Sequence, residues 1–351
     1  MTSFRNLNQT TGRLIHQHGQ YYLFFGGTAY LGLLNNPAYI SLYKEGMDAL
    51  GLNNGTSRTN NVQLGIYEQA EQQLAKRFGF DESILVSSGY LAAQLAVRQL
   101  AKGRQVLYAP DTHPSLWLDD NPMVGGTFAE WLERAVAEIN GGAAEEYLVI
   151  GNAIDNLTPQ LYDYTALLQV SAKKKITLVL DDSHGLGVMK LNSATVDVSA
   201  LRDGHIDVVV VASLAKGLGT DAGIILSDST AADSMRQHPI FTGASPSSPG
   251  GVYALLHGQD IYEQAFYRMQ ANADLLRPYL KELPIHSLPH FPVFSSSAPH
   301  LYRHLIQKNI LVSSFPYPLP ESPLLNRIIV SASHTDDDIR HLGEILLSEK
   351  Y

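Results

Sequence analysis

The sequence predicts an α/β fold in which a mostly parallel sheet forms a large domain and a smaller α+β domain accompanies it. Two observations predict this fold: short runs are apolar at every position, and amphipathic helical patterns separate them. Strands that are apolar throughout are typical of a sheet that helices cover on both faces. The length of 351 residues supports two domains, because one domain commonly takes about 150 residues.

The predicted strands and helices of the large domain alternate along the chain. The apolar runs that predict strands cover residues 84–86, 105–108, 147–150, 176–180 and 206–212. The helical patterns cover residues 67–78, 91–101, 128–140 and 166–174. Strands that alternate with helices are typical of βαβ units, so the order of elements also favours a parallel sheet.

A segment rich in proline, serine and glycine, residues 242–251, marks the predicted end of the large domain. We therefore expect residues 50–250 to form the large domain and residues 251–351 to form the small one. The small domain is predicted from a long helical pattern, a strand and a final helix, at residues 252–283, 327–332 and 336–348. Residues 1–49 are expected to join the small domain.

Composition excludes several classes of function. The chain has no cysteine, which rules out disulfides, cysteine nucleophiles and thiolate metal sites. The formal net charge of -9 disfavours general nucleic-acid binding. No stretch is long and apolar enough to span a membrane, and the first residues lack the apolar core of a signal peptide. We therefore expect a cytoplasmic protein.

A turn of small residues follows the first predicted strand. Residues Ser87, Ser88, Gly89 and Tyr90 lie between that strand and a helix. Small residues at this position let backbone N–H groups approach an anion, so the turn could hold a phosphate group. The alternative is an ordinary helix cap formed by Ser87 or Ser88.

Two carboxylates and an imidazole follow a buried strand at Asp181, Asp182 and His184. Such groups need partners when they are buried. One interpretation is a helix cap, and another is a metal site, although only one histidine lies nearby. A third interpretation is that either aspartate binds a protonated ring nitrogen, because a carboxylate keeps such a nitrogen charged. We predict no metal.

A single lysine, Lys216, lies between the apolar strand 206–212 and a glycine-rich turn. Burial would lower the pKa of its amine and favour imine formation with a carbonyl compound. The alternative is a side chain that extends past the strand end to the surface. A phosphate turn, an acid and an imine-forming lysine, in this order in one sheet, are what pyridoxal 5′-phosphate (PLP) requires.

The motifs resemble those of the α-oxoamine synthases, a family of fold-type I PLP-dependent enzymes, over residues 24–347. The strongest pair is Asp181 to Gly185, which is similar to "DD(A/S)HG", and the lysine turn Ser213 to Gly219, which is similar to "(S/T)xxKxxG". Further matches are "YLGL" at residues 30–33, a loop with Ser57 and Arg58, "SGY" at 88–90, "D…H.S" at 111–115, and an arginine seven positions before His334.

The resemblance implies a role for each matching residue. Lys216 forms the imine and moves the α-proton, Asp181 pairs with the pyridine nitrogen, and His184 bonds the ring 3′-oxygen. The other implied contacts are His113 stacked on the ring, Ser88, Gly89, Tyr90 and Ser213 on the phosphate, Thr242 reaching the phosphate from a second subunit, and Arg327 on the substrate carboxylate.

The activity implied by the resemblance is acyl transfer. In this reaction a small amino acid condenses with an acyl-CoA, as in 8-amino-7-oxononanoate synthase or glycine C-acetyltransferase. The resemblance also implies that the protein is a homodimer. An aminotransferase of the same fold is the second hypothesis, because Lys216 and Asp181 serve either reaction. His113 favours the first, because aminotransferases commonly stack an aromatic ring there.

Three departures from the family pattern concern the substrate. Tyr67 replaces a histidine, Thr28 replaces an asparagine, and the expected "EGVFSMDGD" reads GNAIDNL at residues 151–157. Asn152 and Asp155 are both candidates to replace the serine of that motif. The altered segment also supports a third hypothesis, a PLP-binding homologue that has lost catalysis.

Overall fold

A computed structural model describes residues 4–202, 205–281, 283–316 and 321–348. The strands of the described chain are β1 (Leu14–Gln17), β2 (Gln20–Phe25), β3 (Glu82–Val86), β4 (Gln105–Tyr108), β5 (Glu146–Asn152), β6 (Ile154–Asp155), β7 (Gln160–Leu161), β8 (Lys175–Asp181), β9 (Ile206–Ser213), β10 (Gly223–Ser227), β11 (His286–Ser287), β12 (Val293–Ser296), β13 (Ile310–Pro316) and β14 (Leu324–Ile329).

The α-helices of the same residues are α1 (Pro37–Leu50), α2 (Ile66–Phe78), α3 (Gly89–Leu100), α4 (Phe128–Gly141), α5 (Val198–Arg202), α6 (Leu214–Gly217), α7 (Ser229–Arg236), α8 (Pro239–Gly243), α9 (Pro249–His257), α10 (Gln259–Leu276), α11 (Leu301–Gln307) and α12 (Asp336–Ser348). No helix in the described part of the chain is both long and apolar enough to cross a membrane.

The large sheet has the strand order β3-β10-β9-β8-β5-β4. Strands β4, β5, β8 and β9 pair in parallel, as predicted, and every predicted strand is present. Strand β10 was not predicted, and it pairs antiparallel with both β9 and β3. Its direction follows from its connection, because residues 214–222 are too few for a parallel crossover of a dozen or more residues.

Helices cover the large sheet on both faces, which confirms the predicted α/β class. Neighbouring residues of β8 pack on opposite faces of the sheet, in two different hydrophobic clusters. Leu178 packs in the cluster that contains Tyr67 and Leu74 of α2. Val179 packs in the cluster that contains Leu95 of α3. Because side chains alternate across a strand, a strand that is apolar throughout must have both faces buried.

The small sheet joins the two ends of the chain. Its strand order is β1-β2-β13-β14-β12-β11. Strand β2 runs parallel to β13, with Leu23 opposite Ile310, so N-terminal residues share a sheet with C-terminal ones. The division of the chain at residues 50 and 250 stays a prediction.

Two predicted helices differ from those observed. The pattern at 252–283 forms two helices, α9 and α10, with a break at Gly258. The chain is crowded at this position, because an added Cβ at Gly258 would lie 2.7 Å from Ala254 O and 3.1 Å from the Tyr39 ring. The pattern at 166–174 forms only a 3-10 helix, Thr165–Gln169, because Val170 already has extended backbone. The strand predicted at 327–332 is observed at Leu324–Ile329, so it begins and ends three residues earlier, and the final helix is as predicted.

Candidate active site

The carboxyl ends of the parallel strands meet at one edge of the large sheet, as open α/β sheets generally arrange their ligand sites. There Asn152, the last residue of β5, lies opposite Asp181, the last residue of β8. A cavity of about 570 Å³ opens at this edge. Its walls include Asp111, Thr112, His113, Pro114, Trp117, Asn121, Met123, Asn152, Ile154, Asp155, Asn156, Leu157, Tyr162, Asp181, His184 and Lys216.

Lys216 extends from the short helix α6 into this cavity. Its Nζ lies 3.0 Å from Nε2 of His184. Burial lowers the pKa of the Lys216 amine, and the nearby Arg327 charge lowers it further, while Asp181 opposes them. The side chain is therefore a partly buried amine with a raised neutral fraction, rather than a lysine that reaches the surface.

His184 is held from its other side by Tyr30. The Tyr30 hydroxyl lies 2.7 Å from His184 Nδ1, and the Tyr30 side chain is 0% exposed. Burial, followed by the charges of Lys216 and Arg327, places the pKa of His184 well below its usual value, so the imidazole is neutral. Sequence reasoning did not identify Tyr30 as a site residue, because a buried aromatic side chain in a turn is usually a core residue.

The two adjacent aspartates face different surroundings. Asp181 lines the cavity, and its carboxylate accepts hydrogen bonds from Ser183 N at 2.9 Å and Ser115 Oγ at 3.5 Å. Asp182 is 0% exposed and accepts from Thr195 N at 2.8 Å. Burial raises the pKa of Asp182 to about 7. Asp181 is therefore the carboxylate that can meet a ligand.

His113 belongs to a loop that Asn152 supports. The His113 Nδ1 lies 2.7 Å from Ser115 Oγ, and its ring lines the cavity with Asp181 and Lys216. Asn152 contacts the loop directly, whereas Asp155 lines the cavity but accepts hydrogen bonds from Leu157 N and Thr158 N. Both candidates for the altered motif thus lie at the site.

Arg327, on β14, is near enough to this site for its charge to lower the pKa of Lys216, although it is not among the described residues that line the cavity. It is 7% exposed, and its Nε and Nη2 have no hydrogen-bond partner among the described residues. Its guanidinium lies beside the Tyr30 hydroxyl and lowers the pKa of that group, although burial dominates and raises the pKa to about 12. Buried donors without acceptors are unfavourable, so this side chain suits an anionic ligand.

The predicted phosphate turn lies where α3 begins. Ser88 Oγ accepts from Leu91 N at 3.2 Å, so the helix-cap interpretation of its hydroxyl is correct. Gly89 packs directly on Ser213: an added Cβ would lie 2.5 Å from the Ser213 Cβ. The turns after β3 and β9 therefore touch beside the first-turn N–H groups of a helix, which favour an anion.

Thr242 and Tyr90 lie apart from the cavity within one chain. Thr242 is in α8, its hydroxyl donates to Pro239 O at 3.5 Å, and it is not among the described residues that line the cavity. Tyr90 is 62% exposed at the start of α3. The contribution of Thr242 from a second subunit stays a prediction.

Comparisons with known proteins agree with this arrangement. The family model "Aminotransferase class I and II" matches residues 127–346, more than half of the chain. The 8-amino-7-oxononanoate synthase of Pseudomonas putida (strain W619) is 27% identical over 343 residues, which cover 92% of this chain and 87% of that protein. The protein of the same name from Nitrosomonas europaea is 24% identical over 349 residues, which cover 93% of this chain and 89% of that protein.

Solved structures show the same fold at lower identity. Serine palmitoyltransferase of Sphingomonas wittichii aligns with a TM-score of 0.83 at 19% identity, covering 97% of this chain and 90% of that one. The 8-amino-7-oxononanoate synthase of Francisella tularensis aligns with a TM-score of 0.66 at 17% identity, and the alignment covers 93% of this chain and 97% of that one. The chain therefore belongs to the aminotransferase class I and II family, as a fold-type I PLP-dependent transferase of the α-oxoamine synthase group.

Proposed function

We propose that the protein condenses a small amino acid with an acyl-CoA, using PLP, as a cytoplasmic homodimer. One arrangement carries the proposal: Lys216 Nζ lies 3.0 Å from His184 Nε2 in a cavity that Asp181 also lines, beside a buried Arg327 with unpaired donors. An amine, a carboxylate and an anion-binding arginine are the groups that a PLP enzyme needs around an amino acid.

The residues present fit the cofactor. PLP, when bound, supplies an electron sink that stabilises negative charge at the α-carbon of an amino acid. Asp181 would pair with the ring nitrogen and keep it protonated, because an adjacent carboxylate favours the charged form. His184 would bond the ring oxygen, and His113 would lie against the ring face. Lys216 would bind the cofactor and afterwards move the α-proton of the substrate.

The phosphate would lie at the start of α3. Ser88, Gly89, Tyr90 and Ser213 would surround it, because the close contact of Gly89 with Ser213 brings both turns to the helix N-terminus. In a single chain, Ser88 and Tyr90 are exposed. This exposure supports a homodimer in which the partner, through its own Thr242, completes the phosphate site.

The substrates are inferred from the cavity and from the relatives. Arg327 would bind the amino-acid carboxylate through two parallel hydrogen bonds, since its Nε and Nη2 are both unpaired in the described residues. Trp117, Met123 and Leu157 give the cavity an apolar wall that suits an acyl chain. Curated relatives named 8-amino-7-oxononanoate synthase support an acyl-transfer reaction over transamination.

The release of free CoA tests the function directly. Because the chain contains no cysteine, a thiol reagent reports CoA without background from the protein. Purified protein with PLP is mixed with an acyl-CoA and glycine, L-alanine or L-serine in turn, with Lys216→Ala as the inactive control. We expect thiol release that requires both substrates and Lys216.

The competing functions predict other outcomes. Formation of an α-keto acid from the amino acid with 2-oxoglutarate as acceptor, without thiol release, would establish an aminotransferase instead. A visible PLP band that no amino acid alters would indicate a non-catalytic homologue. Absence of any PLP band after addition of the cofactor would refute the proposal as a whole.

A further inference from the structure

The Tyr30 hydroxyl lies 2.7 Å from His184 Nδ1, and the proposed function gives Tyr30 no role. The charge of Arg327 is near enough to this hydroxyl to lower its pKa. The ring of Tyr30 is fixed by packing: its centroid lies 6.2 Å from those of His184 and Phe291. The backbone is fixed too, because Ala332 N donates to Tyr30 O at 3.0 Å.

Donor and acceptor chemistry decides the direction of the hydrogen bond between Tyr30 and His184. A guanidinium can only donate, so Arg327 offers the Tyr30 proton no acceptor. The single hydroxyl proton of a buried tyrosine needs an acceptor. Among the described residues, the acceptor at hydrogen-bond distance from this hydroxyl is His184 Nδ1. His184 Nδ1 therefore carries no proton, and the neutral ring has its proton on Nε2.

The protonation of His184 also decides which form of Lys216 can complete its contact with this histidine. If Nε2 of His184 bears a proton, that proton points at Lys216 Nζ, 3.0 Å away. An ammonium group has no lone pair and cannot accept, so only the neutral amine of Lys216 completes this contact. Asp181 favours the ammonium form of Lys216, and Arg327 disfavours it. The titratable His113 also lies near the amine, in the same cavity.

We propose that Tyr30 is a positioning residue that fixes His184 in its Nε2–H form and thereby holds Lys216 as a neutral, nucleophilic amine. The inference rests on the proposed function, in which Lys216 must capture the aldehyde of PLP. In this step the amine nitrogen forms a C=N bond to the aldehyde carbon, and the aldehyde oxygen leaves as water. An amine attacks a carbonyl carbon only when it is unprotonated, so this arrangement speeds capture at neutral pH. Arg327 is consistent with this direction, because a guanidinium near the Tyr30 oxygen cannot accept the tyrosine proton.

The test is the pH dependence of PLP capture by the full-length protein. Protein freed of cofactor is mixed with PLP in a stopped-flow instrument, and the visible absorbance of the lysine-bound cofactor is followed from pH 6 to 10. We expect Tyr30→Phe to slow capture about threefold to tenfold at neutral pH, the size of one hydrogen bond. At high pH, where Lys216 is neutral in either protein, the two rates should converge.

The matched control is Tyr147→Phe. Tyr147 is 0% exposed, and its hydroxyl has no hydrogen-bond partner in the described part of the chain. This variant should follow the wild-type curve. A uniform slowing of Tyr30→Phe at all pH values would mean a structural defect and would overturn the inference, as would an unchanged curve. In a His184→Gln background, adding Tyr30→Phe should have no further effect on the pH dependence.

A second measurement does not depend on the variant folding. Nitrogen-15 NMR of histidine-labelled wild-type protein reports which ring nitrogen of His184 is protonated, with His184→Gln used to assign the signal. A proton on Nε2 supports the inference, and a proton on Nδ1 overturns it. Wild-type protein that captures no PLP at all would instead refute the proposed function.

Discussion

Asn152 fixes the backbone of His113: the His113 N–H donates to Asn152 Oδ1 at 3.2 Å. The same side chain donates through Nδ2 to Asp111 O at 2.7 Å, so one amide spans the loop on both sides of Thr112. Since Asn152 also lies opposite Asp181 in the sheet, it sets the spacing between the His113 loop and the carboxylate. The residue that departs from the family motif thus supports the site.

Replacing Asn152 by alanine should therefore loosen the His113 loop. We expect PLP affinity or kcat/KM to fall about five- to thirtyfold, which corresponds to the loss of one or two hydrogen bonds. Asn140→Ala is the matched control, because Asn140 also makes two backbone contacts, to Ser171 N and Gln169 O, outside the cavity. Equal losses in both variants, measured by PLP titration and steady-state kinetics, would contradict the assigned role.

Arg327→Lys should weaken amino-acid binding while PLP still binds. A lysine keeps the charge but loses the planar pair of donors, so we expect the KM of the amino acid to rise about ten- to a hundredfold. The measurement is KM together with the visible PLP spectrum. Arg268→Lys is the control, since Arg268 contacts Asp336 at the surface. An unchanged KM in Arg327→Lys would remove Arg327 from the substrate site.

Gly89→Ala should separate the two turns of the phosphate site. A Cβ at Gly89 would lie 2.5 Å from Ser213 Cβ and 2.7 Å from Ser213 Cα, so the backbone must shift. We expect PLP to bind at least about tenfold more weakly, in line with the usual energy of overpacking. Gly141→Ala provides the comparison, because an added Cβ there meets nothing within 4 Å. Wild-type affinity in Gly89→Ala would exclude a tight phosphate turn.

Asp182→Asn should change how stability depends on pH. Burial raises the pKa of Asp182 from 3.8 to about 7, so between these values the folded state binds more protons than the unfolded state. The Asp182 contribution to stability is therefore fully present below pH 4 and is lost as the pH rises to 7. The loss lowers the free energy of unfolding by about 4 kcal/mol at most.

Asparagine does not titrate, so the free energy of unfolding of Asp182→Asn relative to wild type should increase from pH 4 to pH 8. Denaturant unfolding at several pH values measures this difference. Asp197→Asn is the control: hydrogen bonds from Ser199 and Ala200 lower the pKa of that exposed carboxyl, so its difference from wild type should stay nearly constant from pH 4 to pH 8 and change only below pH 4, in the opposite direction. A constant difference for Asp182→Asn would show that its carboxyl titrates normally.

Much of the fold follows from local sequence patterns. The parallel strands and most helices of the large domain are where apolar runs and helical periodicity predict them, because burial on both faces requires those patterns. The broken helix at Gly258 and the antiparallel strand β10 were not predicted. The break depends on a contact between distant segments, the approach of Gly258 to Tyr39, which periodicity does not record. The direction of β10 follows instead from its short connection to β9, which the pattern of apolar runs does not include.

The sequence by itself determined the family, and it singled out Lys216 and the acidic pair after β8 as candidate site residues, because motifs and spacing are local properties of the chain. The tertiary structure alone decided that Asp181 faces the cavity and Asp182 the interior, since that choice depends on how the strand end packs. It also decided the partners of His184. Tyr30 and Arg327 are 297 residues apart, and only the joining of the two chain ends in one sheet brings them together.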